Sequence, residues 1–189
     1  QQGVVISSDG RILTVAHGLY DGEVDIEFSN GRSYSGDILY KNNTLDIAIL
    51  KITSDQSFPY MPIADNFSLN EKVYSMPWKQ NDVSLLDGKI LLSGMNIKRK
   101  YQNSWKLSDK DEELVYHRAI LHNIKISQGD SGGPLLNAHG ELIGIHSSFF
   151  HDGQESKGPA IALPAAYVLT IVEGSKSADI QTMVKRVLS

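Results

Sequence analysis

The chain has no cysteine among its 189 residues. Disulfides and thiolate metal sites are therefore excluded, and the apolar core alone must hold the fold. A surplus of positive charge is also missing. The 18 Lys and Arg are outnumbered by 22 Asp and Glu, for a formal net charge of −4. That balance speaks against a general nucleic-acid binder, since such domains carry a basic surplus or stripe. The one dense basic run, Lys98-Arg99-Lys100, reads as a solvated strand end or loop. Long apolar runs are missing too. The longest, Ala160 to Val172, is interrupted by Pro164 and Thr170 and is too short to span a bilayer. No basic-then-apolar leader opens the chain. Gln1-Gln2-Gly3 runs straight into an apolar strand, which reads as a processed or trimmed start. No His-Glu-x-x-His spacing occurs, so zinc chemistry is not expected. His117, His122, His139 and His151 are assigned surface or core roles. No metal or organic cofactor is expected. Neither a fixed-period repeat nor a low-complexity tract is present.

What remains is ordinary globular material, 41% apolar and 21% charged. The length suits one domain, or two small lobes sharing an interface. Short β-type runs punctuated by turns fill the first two-thirds. Val4-Val5-Ile6 and Ile12-Leu13-Thr14-Val15 flank Asp9-Gly10, a strong hairpin signal because the turn needs residues that tolerate positive φ. Val24 to Phe28 alternates apolar and polar, then turns at Asn30-Gly31 toward Tyr34. Further strands are expected at Ile38 to Tyr40, Leu45 to Ile52, Glu71 to Met76, Lys89 to Ser93, Glu113 to Ile126, Pro134 to Leu136, Glu141 to Ser147 and Pro159 to Leu163. Hairpin after hairpin without helical period reads as an all-β antiparallel sandwich or barrel. Residues 59–70, rich in turn formers, are expected to connect a first lobe (1–58) to a second (71–163). Lys98 to Asp111 reads as an exposed loop. Residues 164–189 look helical. Pro164 suits a helix's first turn, Ala165 to Val172 suits a helix, and Ile180, Met183, Val184, Val187 and Leu188 share one helical face.

The chemistry concentrates in three places. Ser131 lies in Gln128-Gly129-Asp130-Ser131-Gly132-Gly133-Pro134. Glycine on both sides costs conformational entropy, so the backbone freedom must serve something. A nucleophilic serine needs its own N–H and that of Gly129 turned inward together, toward the oxygen that becomes negative in a tetrahedral intermediate. A serine also needs a base. Thr14-Val15-Ala16-His17-Gly18 sets a histidine at the end of an apolar strand. The base needs a buried carboxylate to fix its tautomer and stabilise the imidazolium. Leu45-Asp46-Ile47-Ala48-Ile49-Leu50 supplies an acid inside an otherwise apolar run, where burial is costly unless it is paired.

Together, in the order His17, Asp46, Ser131, these segments resemble the three signature segments of chymotrypsin-like serine proteases. Val4 to Thr14 is similar to the HtrA/Deg and other bacterial trypsin-like branches, as is Pro159-Ala160-Ile161-Ala162-Leu163-Pro164 to the last strand of their protease domains. The resemblance covers nearly the whole chain. It implies two six-stranded antiparallel β-barrels with the active site between them, a C-terminal helix, polypeptide substrates, and a periplasmic or secreted location. It also implies catalysis by His17, Asp46 and Ser131, with an oxyanion hole from Gly129 and Ser131.

Three departures stand out. HtrA/Deg proteases usually carry Asn before the nucleophile, where this chain has Asp130. No Ile-Val-Gly-Gly start matches the freed N-terminus that pairs with this aspartate in the trypsin branch. The first strand expected before Gly3 is missing. As to specificity, His146 matches a histidine that faces the substrate carboxylate in staphylococcal-type glutamyl endopeptidases. Lys125 falls where trypsin-like enzymes carry the residue at the base of the pocket. Both would favour an acidic residue before the scissile bond, the alternatives being a packed core histidine and a solvated lysine. Ser147 falls where the family has a serine bonded to the catalytic aspartate. Two other readings compete. Gly129-x-Ser131-x-Gly133 matches the α/β-hydrolase elbow formally, but no helix-forming sequence follows and no histidine lies far enough downstream. The second is a catalytically silent protease fold that binds peptides or proteins.

Overall fold

A computed structural model describes residues 1–79, 82–101, 112–151 and 156–174. The first lobe is a five-stranded antiparallel sheet ordered β1-β2-β5-β4-β3. Its strands are β1 (Val4–Val5), β2 (Arg11–Thr14), β3 (Val24–Glu27), β4 (Ser33–Asn42) and β5 (Ile47–Ile52). The β1–β2 hairpin closes at Asp9-Gly10 as expected. Gly10 has φ 84° and donates to the Ser7 carbonyl at 3.0 Å, a conformation that penalises a Cβ. Ile12, Leu50, Ile52 and Phe58 form this lobe's own core. Beside them the rings of Phe28, Tyr34 and Phe58 meet at centroid separations of 5.3 to 5.8 Å, within the range of favourable aromatic pairing.

The second lobe is a closed barrel of six strands ordered β10-β13-β12-β11-β6-β9. These are β6 (Lys72–Ser75), β9 (Leu86–Tyr101), β10 (Glu112–His122), β11 (Pro134–Leu136), β12 (Leu142–His151) and β13 (Ser156–Pro164). Closure leaves no unpaired sheet edge. A two-residue pair, β7 (Trp78–Lys79) with β8 (Asp82–Val83), lies between β6 and β9; nothing in the apolar pattern marks it. Where a six-stranded first barrel is expected, the described residues form a five-stranded sheet. The expected loop from Lys98 begins as strand, since β9 runs to Tyr101; its remainder falls outside the described residues. So does the amphipathic run from Ile180 to Leu188.

Two features set one lobe against the other. The connection runs extended between them: Met61 donates to the Val5 carbonyl at 2.9 Å, and Ala64 to the Leu142 carbonyl at 3.0 Å. One apolar cluster draws Val4, Leu13, Val15, Ile47 and Ile49 from the first lobe and Leu114, Leu121, Leu142, Ile145 and Leu163 from the barrel. Each such side chain fully buried stabilises by about 1.5 to 3 kcal/mol, so sliding one lobe past the other would expose several of them. A helix, α1 (residues 165–174), follows Pro164 as expected. It adds Ala165, Val168 and Val172 to the same cluster, a spacing that keeps them on one face.

Candidate active site

His17 follows β2 by three residues and is half-buried, its side chain 22% exposed. Asp46 ends the turn between β4 and β5, one residue before β5 begins. The Asn42 side chain shapes that turn by accepting the Leu45 N–H at 2.9 Å. Asp46 has φ 57°, a left-handed conformation that costs a non-glycine residue roughly 1 to 2 kcal/mol. The strained turn places the carboxylate in complete burial, at 0% exposure. It is compensated there: His17 reaches it through both its backbone N–H, at 2.9 Å, and its ring Nδ1, at 2.8 and 2.9 Å. The Ser147 hydroxyl donates to the same carboxylate. Charge-assisted bonds contribute about 1.5 to 3 kcal/mol each, enough together to offset a desolvation cost of several kcal/mol. With Nδ1 donating to Asp46, the neutral ring presents Nε2 as its acceptor.

Ser147 sits at a bulge. The β12–β13 register slips between His146 and Ser148, which turns Ser147 out of the ladder toward Asp46. Its hydroxyl also lies 3.2 Å from the Tyr116 phenol on β10. A single proton cannot serve both, and the charged carboxylate is the stronger acceptor. The consistent orientation is Tyr116 O–H to Ser147, and Ser147 O–H to Asp46. Tyr116 is fully buried, and no sequence signal singles it out.

Ser131 comes from the loop between β10 and β11. Its hydroxyl donates a long bond, 3.5 Å, to the Ser147 carbonyl, so Ser147 borders both Asp46 and Ser131. The backbone of this loop divides cleanly. Asp130, Gly132 and Gly133 donate their N–H groups to Ser127, His146 and Asp130 carbonyls at 3.1, 2.7 and 2.9 Å. The N–H groups of Gly129 and Ser131 donate to no acceptor among the described residues. Gly129 has φ 100° with open space on its Cβ side, so backbone conformation rather than crowding accounts for glycine there. The N–H groups of Gly129 and of Ser131 itself are thus left available for an acceptor from outside the loop.

Asp130 is 5% exposed and finds two partners. Its Oδ2 accepts the Ser127 N–H at 2.7 Å, and its Oδ1 lies 3.4 Å from the Gln2 side-chain amide. Gln2 is the second residue that sequence reasoning passes over. Polar residues ahead of a strand carry no distinguishing pattern.

His146 is placed differently from the expectation of a pocket-facing ring. It is fully buried. Its Nε2 is 2.7 Å from the Ser75 hydroxyl and its Nδ1 3.2 Å from His122 Nε2. The two imidazoles lie 4.9 Å apart. Burial first, and then the neighbouring His122, hold His146 well below the usual histidine range. Burial pushes His122 down to about 4. Bulge geometry explains the outcome: adjacent strand residues face opposite ways, so with Ser147 turned to Asp46, His146 enters the barrel. Lys125 lies exposed between β10 and Ser131. The described residues contain no cluster of three or more metal-binding side chains and no helix long and apolar enough to cross a membrane.

A family model, the trypsin-like peptidase domain, matches residues 1–145 of the chain. This chain belongs to that family. Among curated relatives, a probable periplasmic serine endoprotease DegP-like of Halomonas elongata is 27% identical over 177 residues, covering 90% of this chain and 34% of that protein. A putative serine protease HhoA of Synechocystis is 30% identical over 165 residues, covering 86% and 39%. The chain thus spans little more than a third of such relatives. Among solved structures, the HtrA-type protease AlgW with decapeptide superposes with a TM-score of 0.72 at 23% identity, covering 90% of this chain and 50% of that one. The MamO protease domain of Magnetospirillum magneticum superposes at 0.68 and 18% identity, covering 89% and 85%. At such identities these structures speak to the fold, a chymotrypsin-like pair of antiparallel lobes.

Proposed function

We propose that this trypsin-like domain is a serine endopeptidase acting through an acyl-enzyme on Ser131. The observation that carries the reading is the fully buried Asp46 carboxylate bonded to Nδ1 of a half-exposed His17. His17 Nε2 takes the hydroxyl proton as Ser131 Oγ bonds to the peptide carbonyl carbon. Asp46 stabilises the imidazolium, and the N–H groups of Gly129 and Ser131 receive the oxyanion. Collapse breaks the C–N bond, with His17 returning its proton to the leaving amine. Water, deprotonated by His17, then releases the acyl group. Polypeptides are the substrate class, supported by relatives named as endoproteases. The periplasmic names of those relatives support a periplasmic or secreted location. Within this reading a preference for an acidic residue before the scissile bond rests on exposed Lys125, because the buried His146 ring is occupied by Ser75 and His122.

Cleavage mapping on a peptide library tests both levels. Hydrolysis by the chain and its loss in Ser131→Ala, by several orders of magnitude and about 10⁶ where a comparable serine was removed, is the expected result. Retention of most activity by Ser131→Ala would refute the mechanism. No cleavage by either form would favour a catalytically silent binding module. Cuts that fall mainly after Lys, Leu or Ala, or an acidic preference unchanged in Lys125→Ala, would remove the specificity assignment.

A further inference from the structure

We propose that Gln2 is a positioning residue that holds the oxyanion loop in its working conformation by latching Asp130 through its side-chain amide, an inference that rests on the serine-endopeptidase reading. Asp130 joins the two peptide groups whose far ends carry Gly129 and Ser131. Peptide units are planar, so the backbone angles of Asp130 set how the Ser131 N–H is aimed. Anchoring the Asp130 side chain therefore fixes a group that must face the oxyanion.

The carboxylate is nearly buried, and a buried carboxylate is stable only when its oxygens find donors. The Ser127 N–H satisfies Oδ2 at 2.7 Å. Oδ1 receives the Gln2 Nε2 amide at 3.4 Å. A neutral amide meets the need without burying a second charge, whose desolvation would cost several kcal/mol.

The rest of Gln2 is tied at both ends of the site. Its N–H donates to the Ser131 carbonyl at 2.8 Å. Its carbonyl accepts the Thr14 hydroxyl at 2.6 Å, three residues before His17. Gln1 reinforces that side, its amide reaching Thr14 Oγ1 at 3.0 Å and the Val15 carbonyl at 2.8 Å. A Cβ on Gly132 would collide with the Gln2 carbonyl oxygen, and one on Gly133 with Gln2 Oε1. The two glycines after the nucleophile thus make room for Gln2 directly behind it.

Moving the carboxylate from position 130 to position 2 tests the latch. Gln2→Glu sets two carboxylates against each other. Asp130→Asn in that background gives an amide that keeps its oxygen on the Ser127 N–H and offers its NH₂ to the carboxylate introduced at position 2. Four proteins form a double-mutant cycle: unmutated, Gln2→Glu, Asp130→Asn and both together. Each is measured for kcat and KM on a short peptide substrate and for melting temperature. The expected result is a kcat about ten- to a hundredfold lower in Gln2→Glu with KM within about twofold, the loss expected when a charged hydrogen bond is broken and acts only in the transition state. Asp130→Asn alone lowers kcat by less than Gln2→Glu does, since the Gln2 amide can turn its oxygen toward the new amide at position 130. The double variant recovers most of the loss. A purely structural role would lower the melting temperature without selective loss of kcat, and would show no recovery. Unchanged kcat in Gln2→Glu, or no recovery in the double variant, overturns the latch. Should Gln2→Glu fail to fold, Gln2→Met removes the donor at similar volume, and an unchanged kcat there overturns it equally. An unmutated chain that neither hydrolyses peptide nor takes up a fluorophosphonate sinks the endopeptidase reading, and the latch with it.

Discussion

Two histidines, each bonded to a neighbour through a short contact, sit on either side of the bulge at Ser147. His17 is half-exposed and holds a carboxylate on Nδ1. His146 is fully buried and meets neutral groups: the Ser75 hydroxyl, the His122 ring and the Pro134 backbone. The ring chemistry is the same and the environments are opposed. On the endopeptidase reading, Asp46 stabilises the imidazolium that forms as His17 takes the serine proton. The barrel prepares His146 to refuse one, since burial penalises the charged ring. A consistent orientation runs from the Ser75 hydroxyl to His146 Nε2 and from His146 Nδ1–H to His122 Nε2. The chain ends at His122 Nδ1, which has no partner among the described residues. An unsatisfied buried donor costs about 1 to 3 kcal/mol.

The largest expected effect breaks the first network. Asp46→Asn preserves the shape but lets the amide donate to His17 Nδ1, which forces the wrong tautomer and leaves Nε2 protonated. A loss of about 10⁴ in kcat is expected, by analogy with the equivalent change in a Ser-His-Asp triad. A loss under tenfold in peptide hydrolysis would detach Asp46 from the mechanism.

A smaller effect sharpens the second network. His122 is pushed from 6.5 to about 4 by burial. Above pH 6.5 it is neutral in both folded and unfolded chains and contributes no pH dependence. As pH falls through 6.5 the unfolded chain binds a proton that the folded chain refuses, so stability declines, and the decline from this group ends near pH 4. The shift corresponds to about 3 kcal/mol at the acid end. Urea unfolding across this range should therefore show a slope up to about 1.4 kcal/mol per pH unit greater in the unmutated chain than in His122→Leu. Equal slopes would mean that His122 is not held neutral.

Much of this contrast can be read from the chain, and the remainder cannot for identifiable reasons. His17, Asp46 and Ser131 stand out because each residue type sits in a context that only its chemistry excuses: a histidine ending an apolar strand, an acid within an apolar run, a serine set among glycines. Pro134 to Leu136 emerges as a strand with the expected bounds. Asp46 itself is expected inside a strand running from Leu45, yet it occupies the preceding turn. The left-handed backbone there depends on burial and on His17 and Ser147, which come from distant segments. The facing of His146 depends on a one-residue slip against β13, and such a slip reverses every side chain beyond it. Gln2 and Tyr116 make contacts 128 and 31 residues away in sequence, beyond the reach of any local pattern.

The most direct test of the account is whether Ser131 is activated at all. Intact-mass spectrometry after incubation with a fluorophosphonate reads this without reference to any substrate. One adduct is expected on the unmutated chain, mapped to Ser131, and none on Ser131→Ala. Equal labelling of both proteins, or an adduct mapped to another serine, would contradict it.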